Sequence, residues 1–344
     1  MKKVIFALAA VVALAACSNE EVLVEQPREA IGFDNAFIEN AVRSIDPSIT
    51  TDSLTTFKVY GTTQGNETGA PVVNIYNGVD VVKGAPNGIG NGWKYDSQFV
   101  QYWINGNTYK FAAVVNGAVT PDAYGMPAEI SYTASANDDT DILYAFNNLG
   151  VYTKVGDTNP EVEFTFSHLL SKVKFTVNNT MTNNTATRLY QYTVENVTIE
   201  GALNKGVYTV SSKTWTPAAD NSANTVAFGN VSNATTADPA TAAVKIGQVG
   251  AADSATSHYE RILIPGTFTA TVKATIKTLL NNQEVDVTSY EKEVDLTLVG
   301  GHAYNMVLNL GNPGDEIKFT CTEVNGWDTD HNDDGNGNDV TPLQ

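Results

Sequence analysis

From Phe268 to Ile276 every second residue is apolar. Phe268, Ala270, Val272, Ala274 and Ile276 fall on one side, and Thr269, Thr271, Lys273 and Thr275 on the other. Successive side chains of an extended chain point to opposite faces, so this stretch reads as a strand with one dry and one wet face. The pattern returns along the chain. Tyr109, Phe111, Ala113 and Val115 share a face; Val162, Phe164 and Phe166 alternate with Glu161, Glu163 and Thr165; Val173, Phe175 and Val177 alternate with Lys172, Lys174 and Thr176. Val294, Leu296 and Leu298, and then Tyr304, Met306, Leu308 and Leu310, repeat it near the end. Half-wet strands bury their dry faces by packing antiparallel sheets face to face, so the expected class is all-β, built of sandwiches.

Turn signals separate these segments: Asn87-Gly88, Asn91-Gly92, Asn105-Gly106, Gly300-Gly301 and Asn312-Pro313-Gly314. They supply a positive or fixed φ where the chain reverses. Residues 216–243 form a polar tract of Ala, Asn, Thr and Asp, read as loops with at most a short strand around Val226–Phe228. No strict internal repeat is visible. The 344 residues suffice for two domains, and two sandwiches of about seven strands each fit that length. The boundary is expected after Gly156-Asp157-Thr158-Asn159-Pro160, giving an N-terminal sandwich over 44–160 and a C-terminal one over 161–327, followed by an acidic tail, 328–344.

The N-terminus reads as an export signal, residues 1–16. Lys2 and Lys3 precede an apolar run, Val4 to Ala13, too short to span a bilayer. Leu14-Ala15-Ala16-Cys17 follows, small residues before a cysteine, as a lipoprotein signal peptidase requires. Cys17 is therefore the expected lipidation site, and two or three acyl chains there would anchor the protein stably to a membrane. The chain has two cysteines. With Cys17 lipidated, Cys321 has no intramolecular partner, so no disulfide framework is expected. Cys321 follows Ile317 and Phe319 on one strand face and is expected to be a buried structural thiol.

Little points to catalysis. The four histidines, His168, His258, His302 and His331, show no metal-ligand spacing. No Gly-x-Ser-x-Gly elbow or phosphate-binding glycine loop occurs; Gly88-Ile89-Gly90-Asn91-Gly92 sits in a turn. Paired carboxylates are the one hydrolytic arrangement that sequence leaves open. The chain is read as non-enzymatic and without a cofactor. A formal charge of -18 opposes nucleic acid and argues against a polybasic membrane patch. His168, between two apolar stretches, is expected to be structural and bonded to a nearby backbone group. Asp330-x-Asn332-x-Asp334-Gly335 copies the first half of a calcium loop, but Thr341 stands where a bidentate glutamate belongs, so a solvated tail is the expectation. Trp93, Tyr95, Phe99, Tyr102, Trp103, Tyr109 and Phe111 gather in one region. They form either core plus rim or a platform for a glycan, and the latter gives the rival reading of a glycan-binding surface lipoprotein.

The ordered set of segments resembles a known family. After the lipobox come Ile31-Gly32-Phe33, Arg43, Phe57-Lys58-Val59-Tyr60-Gly61, Trp93 and Tyr95, Gln101-Tyr102-Trp103, Tyr109-Lys110-Phe111 and Asp141-Ile142-Leu143-Tyr144-Ala145. Phe164 to Phe175, Gly301-His302-Ala303-Tyr304 and Trp327 complete it. The series is similar to the Mfa-like fimbrillins of Bacteroidales, the type V pilins, over nearly the whole chain. The resemblance implies two transthyretin-like antiparallel β-sandwiches in tandem. It implies a lipidated precursor at the cell outer membrane, cut by an arginine-specific protease, then part of a cell-surface fimbrium. The matching cut is Arg43-Ser44, which would remove the propeptide 17–43 with its first strand; Arg28 is the alternative. A strand from another pilin subunit would then fill the groove by β-augmentation. Partners implied are other subunits, the protease, the outer membrane and a host or bacterial surface ligand. A stalk subunit should donate a strand near its C-terminus; if Ile317 to Val324 belongs to the chain's own sheet, the protein would be a tip or accessory subunit.

Overall fold

The computed structural model describes residues 29–38, 54–134, 140–154, 160–179, 181–185, 187–232, 245–246, 260–324 and 341–342. Among them the structure is all-β, as the alternation requires, interrupted only by two short 3-10 turns at Ser97–Phe99 and Ala219–Ala223. No helix among the described residues is long and apolar enough to cross a membrane.

The strands, numbered in chain order, form four sheets. The first contains β1 (Gly32–Ile38), β2 (Thr56–Gln64), β3 (Val72–Lys83), β4 (Trp93–Lys94), β5 (Thr108–Val115), β8 (Leu143–Val151) and β9 (Glu161–His168). It closes on itself in the order β1-β4-β3-β2-β5-β8-β9. This differs from the expected pair of facing sheets. Large rings filling the middle, among them Phe33, Phe57, Tyr76, Phe111, Phe164 and Phe166, let a single curled sheet bury its own dry face. The Val162 strand, expected to open the second domain, is β9 and belongs to this ring, where it pairs with β8 and β1.

The second sheet draws on both halves of the sequence. β6 (Ala118–Pro121) and β7 (Pro127–Thr133) join β12 (Lys205–Thr209) and β13 (Thr214–Pro217) in the order β13-β12-β7-β6. β7 and β12 pair antiparallel from Glu129↔Thr209 to Thr133↔Lys205. A separate apolar cluster underlies this sheet, including Ala112, Val114, Ile130, Leu170, Tyr208 and Ile264. The boundary expected at residue 160 therefore does not separate the chain into two independent sheet systems.

The remaining sheets face each other across an aliphatic core. One holds β10 (Ser171–Asn179), β15 (Lys245–Ile246), β16 (Glu260–Leu263), β19 (Ala303–Leu310), β20 (Lys318–Val324) and β21 (Thr341–Pro342); the other holds β11 (Tyr190–Glu200), β14 (Thr225–Ser232), β17 (Gly266–Leu280) and β18 (Gln283–Leu298). β14 is the strand expected around Val226–Phe228, and it is longer, eight residues paired to β11. Asn281 and Asn282, both at positive φ, form the two-residue turn between β17 and β18, the geometry that matches strand twist. β20 pairs with β19 from Asn309↔Lys318 to Ala303↔Val324.

Candidate functional site

The seat of β1 concentrates the features that bear on function. β1 lies parallel to β9, in register from Gly32↔Glu161 to Ile38↔Phe166. On its other edge it meets β4 only at Phe33↔Trp93, with a further isolated bridge at Ala30↔Tyr102. A bulge between Phe33 and Ala36 shifts the alternation, so Ile31, Phe33, Ala36 and Ile38 are all buried while Phe37 turns out, 49% exposed. Three buried apolar side chains on β1 and Ile31 just before it explain why the segment seats itself: each large side chain among them, Ile31, Phe33 and Ile38, contributes roughly 1.5–3 kcal/mol on leaving water.

Phe33 is the centre of the ring's core. Its ring lies 5.5 Å from those of Tyr76 and Tyr95, 6.0 Å from Phe164, 6.3 Å from Phe111 and 6.5 Å from Phe57. Edge-on and stacked pairs of this kind add to the area term. Polar atoms at the seat are also matched. Tyr95 donates its hydroxyl to the Ile31 carbonyl at 2.7 Å, and Tyr76 donates to the Tyr95 oxygen at 3.1 Å. Burial raises the pKa of both phenols, so they stay protonated donors. The Ile31 amide donates to the Gln101 carbonyl at 2.9 Å, and the Trp103 amide to the Glu29 carbonyl at 2.9 Å.

One contact works against seating at neutral pH. Glu161 of β9 lies beside Asp34 of β1, and its carboxyl pKa is raised, first by burial and then by Asp34. Asn91 donates to Glu161 Oε1 at 2.7 Å and partly offsets this. Two carboxyls on adjacent strands fit together best while one keeps its proton.

The glycine turn 88–92 braces the β4 edge. Gly90 sits at φ +110°, and a Cβ there would lie 2.2 Å from the Trp93 carbonyl oxygen, so only glycine lets the turn close on β4. The segment is thus backbone packing for the seat.

The aromatic cluster is core plus rim. Trp93, Tyr95, Trp103, Tyr109 and Phe111 are buried, and Phe99 and Tyr102 are exposed at the edge. Trp93 and Trp103 present no face to a ligand. His168 is buried and structural as expected, but its partner is a side chain: Nδ1 lies 2.5 Å from Asp141 Oδ2. Burial raises the Asp141 carboxyl pKa, and the histidine opposes that rise. The pair spans 27 residues, and no local spacing in the sequence announces it. Cys321 is half-buried beside Phe319, with its thiol pushed up to about 12 by burial, an inert state. No group of residues that could hold a metal occurs among the described residues. Cys17, Arg43, Ser44, Asp330, Asn332 and Asp334 lie outside the described residues.

A family model for fimbrillin-like proteins matches residues 43–327. The match opens at Arg43, after β1. No curated protein matches the chain. Among solved structures, a fimbrial protein from Bacteroides vulgatus ATCC 8482 is similar at TM-score 0.59 and 15% identity, covering 87% of this chain and 99% of its own. The fimbrial anchor protein Mfa2 from Porphyromonas gingivalis aligns at TM-score 0.34 and 12% identity, over 87% of this chain and 98% of its own.

Proposed function

The chain belongs to the fimbrillin-like family, and from that premise we propose that this fimbrial subunit is assembled by exchanging its first strand for one from a neighbouring subunit. The observation that carries the reading is the position of β1. It supplies the middle of an aromatic core, yet it precedes Arg43 and lies outside the segment that the family model matches. A cut at Arg43-Ser44 would leave β1 attached by non-covalent contacts alone. Its departure would uncover the β9 edge and the rings around Phe33, which an incoming strand with apolar residues at matching positions would refill.

In this reading residues 1–16 are the export signal, Cys17 carries the lipid at the outer membrane, and 17–43 is the propeptide. The family's first transthyretin-like unit would correspond to the ring closed by β1, and its second to the pair of sheets around β10 and β17. β20 is held by its own sheet through β19. That supports an accessory or tip role, accepting a strand without donating Ile317 to Val324.

The test is the N-terminal sequence and the apparent mass, boiled and unboiled, of the protein taken from its native cell surface. An N-terminus at Ser44 with a ladder that collapses on boiling is expected. A lipidated Cys17 on an uncut, monomeric chain would sink strand exchange.

A further inference from the structure

A second cavity lies outside the β1 seat. β8 and β9 pair through their backbones only at Leu143↔His168 and Tyr144↔Ser167; beyond that point the Asn147 side chain bridges them, donating to the Glu163 carbonyl at 2.8 Å. The β12–β13 hairpin faces these strands across an open groove of about 720 Å³, within the usual span of ligand sites, roughly 300–1,000 Å³. Tyr144, Phe146, Tyr208 and Trp215 line it, with Thr165 and Lys213 at its margin.

We propose that this groove binds a neutral carbohydrate. Phe146 is 53% exposed and lines the groove together with Tyr144, Tyr208 and Trp215, so its ring belongs to an aromatic patch and is not isolated. Trp215 is fixed by donating its indole N–H to the Leu169 carbonyl at 2.7 Å, and its ring stands 5.5 Å from that of Tyr208. Tyr208 buries most of its ring, 8% of the residue being exposed, and its hydroxyl opens to the groove. Neither that hydroxyl nor the hydroxyl of Tyr144 has a hydrogen-bond partner among the described residues. The two hydroxyls are near enough to interact electrostatically, and the Tyr144 phenol is pushed up to about 12, chiefly by burial. Both are therefore neutral groups that can donate and accept at once.

A pyranose answers both halves of this arrangement. Its C–H faces pack on aromatic rings, and its hydroxyls pair with the two phenols. An apolar peptide side chain would cover those phenols, strip their water and give them no partner. Among the residues that line the groove, Lys213 is the only Lys, Arg, Asp or Glu, so a neutral sugar fits better than a polyanion. No residue of β1 lines the groove. The site thus goes beyond the strand-exchange reading and stands whether or not Arg43 is cut.

The test is saturation-transfer NMR and calorimetry on the full chain with neutral hexasaccharides of glucose, mannose, galactose and N-acetylglucosamine. Saturable binding by at least one is expected. Phe146→Ser, at an exposed position, and Tyr208→Phe, which keeps the ring, should each weaken it roughly tenfold with an unchanged circular dichroism spectrum. Failure of all four sugars to bind would overturn the proposal, as would binding that both variants retain in full. So would saturable binding of an extended apolar peptide at this groove in place of the sugars.

Discussion

Around Phe33 the ring is filled with aromatic side chains, whereas the space between the β10–β19 and β11–β17 sheets is filled mainly with Val, Ile, Leu and Met. The two cores also differ in how they are completed. The C-terminal core draws on strands from residue 171 onward, interrupted only by the β12–β13 hairpin of the shared sheet, and its late strand β20 is locked against β19. The ring depends on β1, which precedes the rest of its sheet and is fastened parallel to β9 on one edge and by isolated contacts on the other. In the strand-exchange reading, large rings packed on Phe33 make a core that one strand completes or opens in a single step. Many aliphatic side chains shared among eight strands do not.

The sharpest way to break this comparison is to remove the central ring. Phe33→Ala should cost about 3–5 kcal/mol in chemical unfolding and lower the stability of the ring first. The matched change Leu308→Ala in β19, at a fully buried site, should cost about 2–5 kcal/mol without loosening β1. Hydrogen exchange at the β1 amides separates the two, and faster exchange in both variants would mean that the cores are not distinct. Next comes the sheet that they share. A Cβ at Gly206 would lie 2.7 Å from the Thr216 carbonyl oxygen and 3.0 Å from Ile264 Cδ1. Gly206→Ala should therefore cost about 1–3 kcal/mol through overpacking and divide a single calorimetric transition into two.

A smaller effect concerns pH. Because the Glu161 carboxyl is raised above its usual 4.5 by burial and by Asp34, it favours the seated strand below pH 4.5. That contribution is lost as pH rises through the raised value. In a chain cut after Arg43, β1 should leave faster at pH 7 than at pH 4.5, and Glu161→Gln should flatten the difference. Equal release rates for the two proteins at both pH values would remove the carboxyl pair from the account. The smallest effect should come from the exposed Lys58–Asp80 pair at 2.7 Å. Lys58→Ala should shift stability by no more than about 1 kcal/mol, and that shift should vanish in high salt.

Legibility in the sequence followed burial. The β9, β10, β17 and β19 strands were visible because each has a clean dry face. Most of β18 was not: from Gln283 to Glu293 nearly every side chain is exposed, so no alternation marks the strand, and its place is set by pairing with β17 over its whole length. The Ile31-Gly32-Phe33 segment was legible as a strand but its ring was not, since closure depends on long-range register and on a bulge that leaves no compositional trace. Likewise Trp93 and Trp103 drew attention by density alone. The groove residues Phe146, Tyr208 and Trp215 are spread over three strands and become neighbours only after β7 and β12 have paired.

That pairing has a mechanical consequence. Glu129–Thr133 and Lys205–Thr209 are bound side by side, so the halves of the molecule are not beads on a string. A pull applied to opposite ends must rupture this ladder and strip the cluster beneath it before the halves can part. Under load each subunit would therefore yield in a discrete step, when the ladder fails, and not by gradual extension between its halves.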